Sequence, residues 1–373
     1  MERIISLLDN ELIPIAEKVF NGERLSFEDG LKLFESNNLT AIGMLANYVA
    51  EKKNGKFAYF NVNVHITPTN ICIGTCRFCA FRKSKNDPGA YELTPEEIVE
   101  KLKNYYSQNP NLTEVHIVGG LHPDWDYNRF IEIIKLVRKN FPNIHIKAYT
   151  AEEIKYIAEK GNKSVEETLH ELIEAGLNSI PGGGGEIFNE KIRQKICPDK
   201  ITAEEYLQIH KTAHRMGLKS NATMLFGHIE TYADRIDHLI RLREAQDETG
   251  GFQTFIPLAF HPLNTKIPNA NYTTGVDELK TIAVSRLMLD NFPHIKAYWI
   301  MLGEKVAQIA LQFGADDIDG TVTEEDITQA AGARAGQSIP KSRLIKLIKE
   351  AGKIPVERDT VYNILHIYNS EKQ

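Results

Sequence analysis

The 373-residue sequence lacks the features that would place the protein on nucleic acid or in a membrane. Its formal net charge is -6 and no basic block interrupts the chain, so no nucleic acid partner is expected. No apolar run approaches the roughly 20 residues that cross a bilayer. The amino-terminal stretch MERIISLLDNELIPIAEKVF carries four acidic residues, unlike a signal or transit peptide. The sequence therefore predicts a cytoplasmic protein with no membrane partner.

Cysteine is scarce, and its distribution is uneven. Three of the four cysteines lie in CIGTCRFC, at Cys72, Cys76 and Cys79. In a reducing compartment, clustered cysteines are more often metal ligands or catalysts than disulfide partners. Structural zinc sites usually close with four ligands, and no second cysteine pair follows here. Three thiolates can instead hold a cube of four irons and leave one iron open for another ligand.

The three cysteines therefore predict an open iron–sulfur site as the metal centre. Two alternatives stay open: a zinc site completed by a distant histidine, and a set of buried structural cysteines. Cys197, in QKICPDK, is a candidate fourth ligand. Its place at a predicted helix end favours a buried structural role, because free cysteine is among the most buried residue types.

The chain also lacks long linkers, internal repeats and low-complexity segments. The first fifty-odd residues predict helices, and short β-rich runs then alternate with helices that begin at capping boxes. Eight runs predict strands: AYFNVNVHIT, EVHIVGG, IHIKAYT, LNSIPGG, KSNATMLFG, FQTFIPLAF, IKAYWIML and GADDIDGT. The predicted capping boxes begin at Ser26, Thr94, Thr150, Ser164, Thr202 and Thr323.

Eight strands that each precede a helix predict an α/β protein with a (β/α)8 TIM-type barrel. A doubly wound open sheet is the alternative. We expect a helical amino-terminal extension at 1–55, the barrel at 56–325 and a carboxy-terminal helical segment packed on the barrel at 326–373. In such a barrel the chemistry lies at the carboxyl ends of the strands.

Candidate site residues follow several of the predicted strands. Gly119 and Gly120 end the second strand and allow close approach of a ligand to the backbone. Gly182–Gly185 form a glycine run, and Glu186 and Arg193 lie two turns apart on one helix face. That pair suits a cofactor with hydroxyls and a carboxylate, although an ordinary exposed helix pair is equally compatible. Further candidates at strand ends are His122, Thr150, Asn221, Thr223, His228 and His261.

The cysteine motif CxxxCxxC after the first strand, with Phe78 before the last cysteine, resembles the radical S-adenosylmethionine (SAM) enzymes. The resemblance implies a [4Fe–4S] cluster on Cys72, Cys76 and Cys79, with SAM chelating the open iron as cosubstrate. Electron transfer from the cluster then cleaves the sulfonium to give a 5'-deoxyadenosyl radical. It also implies that SAM contacts a set of strand-end residues: Phe78, Gly119, Gly120, Thr150, Glu186, Arg193, Asn221 and Thr223.

Longer segments resemble the menaquinone-forming futalosine branch, and within it the aminodeoxyfutalosine synthase family more than cyclic dehypoxanthinylfutalosine synthases. The branch is indicated by PGGGGEIF, SNATMLFGHIET, RLREAQDETGGFQTFIPLAFHP, RLMLDNFPHIKAYW and GADDIDGTVTEED. The synthase family within it is indicated by GGFQTFIPLAFHP and HIVGGLHPDWDY. The resemblance implies that the radical adds to the alkene of 3-[(1-carboxyvinyl)oxy]benzoate, giving 6-amino-6-deoxyfutalosine after rearrangement and decarboxylation. An electron donor such as flavodoxin or ferredoxin would be a partner. Candidates for binding the substrate carboxylates are Arg286, His122, His228 and His261. Turnover of dehypoxanthinylfutalosine and a non-catalytic zinc scaffold are the competing hypotheses.

Overall fold

The computed structural model describes residues 2–323, 325–333 and 335–368. Helices fill the amino-terminal part, where a short 3-10 turn spans Asn10–Leu12. The helices of this part are α1 (Glu2–Ile5), α2 (Ile13–Asn21), α3 (Phe27–Glu35) and α4 (Leu39–Asn54). Gly55 follows the last turn of α4, as the sequence predicted.

Strands and helices alternate from residue 57 onward. The strands are β1 (Phe57–Asn61), β2 (Asn63–Ile66), β3 (Glu114–Ile117), β4 (His145–Ala148), β5 (Ser179–Ile180), β6 (Lys219–Phe226), β7 (Phe252–Ala259), β8 (His294–Ile295), β9 (Asp317–Gly320), β10 (Ile354–Arg358) and β11 (Ile364–Ile367). The helices are α5 (Pro95–Gln108), α6 (Tyr127–Asn140), α7 (Ala151–Gly161), α8 (Val165–Ala175), α9 (Glu190–Ile196), α10 (Ala203–Arg215), α11 (Tyr232–Thr249), α12 (Gly275–Met288), α13 (Trp299–Ala310), α14 (Asp326–Ala330) and α15 (Lys341–Glu350).

The strands form a closed parallel barrel. Strands β2 to β8 lie in sequence order in one sheet, and β9 pairs in parallel with β1. Val62 separates β1 from β2, which together act as one bent strand. A parallel bridge between Lys296 and Asp317 joins the end of β8 to β9. The predicted (β/α)8 barrel is therefore confirmed.

Amphipathic helices surround the barrel and supply its outer core. Helix α6 buries Phe130, Ile133, Ile134 and Val137, which share one face at helical spacing. The predicted capping boxes at Ser26, Thr94, Thr150, Ser164 and Thr202 are all present, with side chain and backbone bonded reciprocally.

Two local predictions are wrong. Residues 295–302 were expected to form a strand, but β8 ends at Ile295 and α13 begins at Trp299. The apolar run is short, so its hydrophobicity alone does not distinguish a strand from a buried helix start. The expected cap at Thr323 is also wrong, because α14 begins at Asp326 and Glu325 caps it.

The amino-terminal helices cover the outer wall of the barrel beside α11 and α12. Lys280 of α12 donates to the Phe34 carbonyl over 2.9 Å. Arg24 forms ion pairs with Asp247 and Asp290, at 2.5 Å and 2.8 Å. The extension thus lies on the side of the barrel, and its contacts leave the carboxyl ends of the strands free.

The carboxy-terminal segment was predicted to be helical, but it contains the strands β10 and β11 as well as α14 and α15. Strand β10 pairs in parallel with β1, and β11 returns antiparallel to β10. Arg358 and Tyr362 both bond the buried carboxylate of Asp317, over 2.8 Å each, and Tyr362 stacks on His294. Because Asp317 and His294 begin their strands, this segment closes the amino-terminal end of the barrel. The opposite end remains available for a site.

Candidate active site

The cysteine loop, residues 72–79, follows β2 at the carboxyl end of the barrel. Cys72, Cys76 and Cys79 are all free and half-buried. A Cβ on Gly74 would lie 3.4 Å from Cys72 Sγ and 3.9 Å from Cys76 Sγ, so these two sulfurs flank one point. Burial raises the pKa of the Cys76 and Cys79 thiols, although nearby Lys200 opposes the rise at both. These thiols become ligands only when a bound metal takes the place of their protons.

Backbone contacts hold the cysteine loop against two neighbouring segments. The Ile73 N–H donates to the Leu121 carbonyl over 3.1 Å, and the Arg77 N–H to the Ile196 carbonyl over 2.7 Å. Thr75 bonds Asp199 through both its amide and its hydroxyl. Cys197 lies beside this contact but is buried in the hydrophobic core, with 1% of its surface exposed. This burial agrees with the structural role predicted for Cys197.

A cavity of about 750 Å³ extends from the cysteine loop into the barrel. It brings together most of the site residues that the sequence predicted. Those that line it are Cys72, Cys76, Phe78, Cys79, Gly119, Gly120, Thr150, Glu186, Asn221, Thr223 and His261. Because six loops and strand ends contribute to one cavity, the arrangement can enclose a ligand much larger than a metal ion.

Gly119 and Gly120 have a role that the sequence did not identify. A Cβ on Gly120 would lie 2.3 Å from the Ile71 carbonyl oxygen and 3.0 Å from Cys72 Cβ. The missing side chain therefore makes room for the cysteine loop itself. Gly119 donates its N–H to Glu153 over 3.0 Å, and burial raises the pKa of Glu153 to about 7.

The glycine run passes between β6 and the start of α7. A Cβ on Gly182 would lie 2.8 Å from Thr223 Cγ2, and one on Gly183 would lie 2.8 Å from Thr150 Cγ2. Thr223 Oγ1 donates to the Gly182 carbonyl over 2.7 Å. Glu186 follows with a φ of +44° and pairs with Lys200 at 3.0 Å. The run thus brings the Glu186 carboxylate to the cavity wall.

Arg193 does not have the role that its spacing suggested. It is 2% exposed, and its guanidinium donates to backbone carbonyls of the glycine run, including that of Gly185 over 2.7 Å. It also bonds the Ile201 carbonyl. Because its guanidinium is hydrogen-bonded to these carbonyls, Arg193 stabilises the backbone of the glycine run from outside the cavity and does not face a ligand carboxylate.

Three of the four candidates for substrate carboxylates lie away from the cavity. Arg286 is fully buried near the amino-terminal end of the barrel, where it donates to Gly314 and Asp316. His228 is bonded to the Leu225 carbonyl and Glu230, and His122 stacks on Trp125 behind the rim. His261 alone of the four lines the cavity, and its Nε2 lies 2.9 Å from the Met301 carbonyl.

The sequence reasoning missed a layer of polar side chains deeper in the cavity, which we call the barrel floor. Its members all line the cavity: His65, Glu114, His116, Lys147, Lys296 and Asp319. Lys147 Nζ lies 2.8 Å from Glu114 Oε2, and Lys296 Nζ lies 2.6 Å from Asp319 Oδ1.

Burial and the nearby lysines shift the ionisation of the barrel floor. Burial lowers the pKa of His65 to about 4 and that of His116 well below its usual value. Burial opposes ionisation of Glu114 as well, but the Lys147 ammonium outweighs it and keeps the pKa of Glu114 low. The signal in the sequence was a charged residue between aliphatic ones, such as Lys147 in IHIKA.

A parallel barrel with three free cysteines at the mouth of one large cavity is typical of an enzyme whose cysteines serve its active site. Residues 66–242 match the radical SAM superfamily, and residues 249–371 match the CofH/MqnC C-terminal region. The chain therefore belongs to the radical SAM superfamily, in the branch that includes the aminodeoxyfutalosine synthases.

Relatives similar to almost the whole chain carry names of the futalosine pathway or, as in Methanocaldococcus jannaschii (39% identical, covering 93% of this chain and 98% of the relative), 5-amino-6-(D-ribitylamino)uracil–L-tyrosine 4-hydroxyphenyl transferase. An aminodeoxyfutalosine synthase of Thermus thermophilus is 46% identical over 365 residues, which cover 97% of this chain and 98% of the relative. That of Streptomyces coelicolor is 43% identical, covering 95% and 94%. A cyclic dehypoxanthine futalosine synthase of Halalkalibacterium halodurans is 37% identical, covering 96% of each. Among solved structures, methylornithine synthase shares the fold, with a TM-score of 0.73 at 20% identity over 91% of this chain and 96% of that one.

Membership in this superfamily implies a [4Fe–4S] cluster and SAM, and the cavity fits both. The described residues contain no three His, Cys, Asp or Glu side chains arranged around one metal ion. A cube takes each thiolate on a different iron, so its ligands lie farther apart than those of a single ion. Cys72, Cys76 and Cys79 would hold the cluster, and Glu186, paired with Lys200, lines the same cavity. No helix in the described ranges is long and apolar enough to cross a membrane.

Proposed function

We propose that this enzyme joins the 5'-deoxyadenosyl group of SAM to 3-[(1-carboxyvinyl)oxy]benzoate and forms 6-amino-6-deoxyfutalosine. The observation that carries the proposal is the 46% and 43% identity, over nearly the whole chain, to two aminodeoxyfutalosine synthases. One continuous cavity from the cysteine loop to the barrel floor supports it, because the reaction needs SAM and a second organic molecule side by side.

The cluster and SAM, when bound, supply a 5'-deoxyadenosyl radical by one-electron cleavage of the sulfonium, which releases methionine. In the proposed reaction a carbon–carbon bond forms between C5' and the alkene of the enol ether. Rearrangement and loss of carbon dioxide follow. The carboxylate leaves as carbon dioxide and its electron is recovered, so the reaction consumes SAM without net oxidation or reduction.

The chain's own residues would position the alkene and exclude water. Leu225, Ile256, Leu258 and Phe260 form an apolar wall of the cavity between the cysteine loop and the barrel floor. An apolar wall next to the reacting carbons keeps a radical away from solvent, and a tight fit holds the alkene within reach of C5'. Asn221 and Thr223 face the same cavity from β6 and offer polar contacts to the nucleoside.

Anaerobic reconstitution tests the proposal. The reconstituted enzyme is incubated with SAM, dithionite and 3-[(1-carboxyvinyl)oxy]benzoate, and the products are identified by mass spectrometry. We expect one 6-amino-6-deoxyfutalosine for each methionine released. Release of 5'-deoxyadenosine without the adduct would contradict the proposal, because it would indicate hydrogen abstraction instead of addition.

A second candidate reaction is the cyclisation of dehypoxanthinylfutalosine. The observation that favours it is the 37% identity to a cyclic dehypoxanthine futalosine synthase over 96% of this chain. Parallel incubation with that substrate decides between the two. Turnover of dehypoxanthinylfutalosine alone would replace the first proposal by the second.

A further inference from the structure

The barrel floor combines buried charge with access to the cavity. The side chains of Lys147 and Glu114 are 6% and 2% exposed, and those of Lys296 and Asp319 are 5% and 8% exposed. Buried ion pairs are expensive because both charges lose water, and a purely apolar layer would often be at least as stable. Two such pairs in one cavity therefore indicate a ligand that needs them.

The floor also keeps unused hydrogen-bond donors. An ammonium group has three N–H donors. Among the residues that the structure describes, Lys147 gives one hydrogen bond to Glu114, and Lys296 gives one to Asp319. His116 Nδ1 lies 3.3 Å from His65 Nε2, while His116 Nε2 is buried with no partner in the described ranges. Donors left over in a buried layer are complementary to a ligand that only accepts.

The depth of the floor matches one end of the proposed substrate. Lys147 lies three residues before Thr150 at the rim, and His116 lies three residues before Gly119. His116 and Lys147 are the last residues but one of β3 and β4, so their side chains leave the strands within the barrel, below the loops that carry the cysteines. The alkene and its own carboxylate must stay near C5' at the upper end of the cavity. The benzoate carboxylate, on the far side of the ring, is the group that reaches the floor.

We propose that Lys147 and Lys296, with His116, bind the benzoate carboxylate of the substrate at the barrel floor. The assignment rests on the proposed function for the identity of the substrate. These residues are positioning residues: they hold the aromatic ring so that the alkene faces the cysteine loop, and they take no part in bond making.

The test measures binding of substrate fragments that cannot react. The ligands are 3-methoxybenzoate and the neutral 3-methoxybenzamide, titrated calorimetrically into the reconstituted enzyme with SAM and without a reductant. The variant combines Lys147→Met with Glu114→Gln, which removes the pair without leaving a lone buried charge. The matched control combines Lys353→Met with Glu51→Gln, a Lys–Glu pair at 2.9 Å on the outside of the barrel.

We expect the wild type and the control to prefer the benzoate over the benzamide at least tenfold, because hydrogen bonds to charged groups exceed neutral ones by about that factor. The floor variant should lose that preference. Lys296→Met with Asp319→Asn is a second floor variant and gives the same answer if the first fails to fold. Equal binding of the two fragments by the wild type, or an unchanged preference in the floor variants, would overturn the assignment.

Turnover of the complete substrate by the wild type is scored separately. Absence of turnover together with an intact, floor-dependent preference for the benzoate would reject the proposed reaction and leave the carboxylate site standing. Turnover of the complete substrate, together with a preference for the benzoate that the floor variants keep, would support the proposed reaction and reject the carboxylate site.

Discussion

Replacing Gly120 by alanine tests whether the end of β3 positions the cysteine loop. The new Cβ would lie 2.3 Å from the Ile71 carbonyl oxygen and 2.8 Å from its carbon. Ordinary carbon–oxygen contacts are about 3.3 Å or longer, so one segment must move by about 1 Å. The obstructing atoms are backbone, next to Cys72, and cannot rotate away as a side chain would.

Overpacking of this kind costs about 1–3 kcal/mol. Since about 1.4 kcal/mol changes an equilibrium constant by a factor of ten, we expect Gly120→Ala to weaken cluster retention about 5- to 140-fold. The assay is iron per chain after anaerobic reconstitution and a timed exposure to chelator. Gly275→Ala is the control, because its nearest neighbour would be a methyl group 3.9 Å away.

Two results would refute this reasoning. One is a Gly120→Ala protein that keeps wild-type iron and wild-type thermal stability, which would mean that the loop accepts the shift at no cost. The other is an equal loss of iron in Gly275→Ala, which would show a general effect of the treatment.

Three further predictions concern residues whose surroundings differ. Cys79→Ala should lose the cluster and the absorption near about 400 nm expected of such a cube, whereas Cys197→Ala, in the apolar core, should keep its iron; a colourless Cys197→Ala protein would contradict this. Burial raises the pKa of Glu325 from 4.5 to about 7, so its ionisation penalises the folded state and stability falls as pH rises through that window. Glu325→Gln should remove up to about 3 kcal/mol of this fall between pH 5 and pH 8 in urea unfolding, and parallel pH curves for the two proteins would count against it. Arg286→Met removes the guanidinium from the buried carboxylate of Asp316, which keeps its contacts with His294 and Asn54, and should lower stability by about 3 kcal/mol. The KM for substrate in the surviving folded fraction should stay unchanged, and a raised KM would return Arg286 to the binding site.

The sequence predicted those parts of the fold that depend on neighbouring residues. Capping boxes such as Thr150 with Glu153 bring their partners within one turn, so no tertiary information is needed. The barrel followed from alternation of short strands with helices. Strands β10 and β11 were not predicted because β10 is stabilised by pairing with β1, which lies far away in sequence, and β11 pairs only with β10 in the described sheet.

The same distinction between local and long-range interactions explains which site residues could be predicted. The cysteines and glycines carry their chemistry in their residue type and spacing, so their joint position on one cavity was predictable. Whether an arginine or histidine faces the cavity depends on partners contributed by other elements. Arg286 is held by Gly314 and Asp316, and Arg193 by carbonyls on both sides of its helix. Lys147 was overlooked because a lysine in a strand usually points to solvent, and only barrel closure turns it inward.

The pairing of β1 with β10 has a consequence for the order of folding. Phe57 lies beside Ile354, so the first barrel strand acquires one of its neighbours only after nearly 300 further residues have been synthesised. Contacts of such long range slow folding, because a long loop must close before they contribute. On the ribosome, β1 would expose an unpaired edge until the carboxy-terminal segment emerges. The amino-terminal end of the barrel, where β10 joins β1, would thus be completed among the last events in the synthesis of the enzyme.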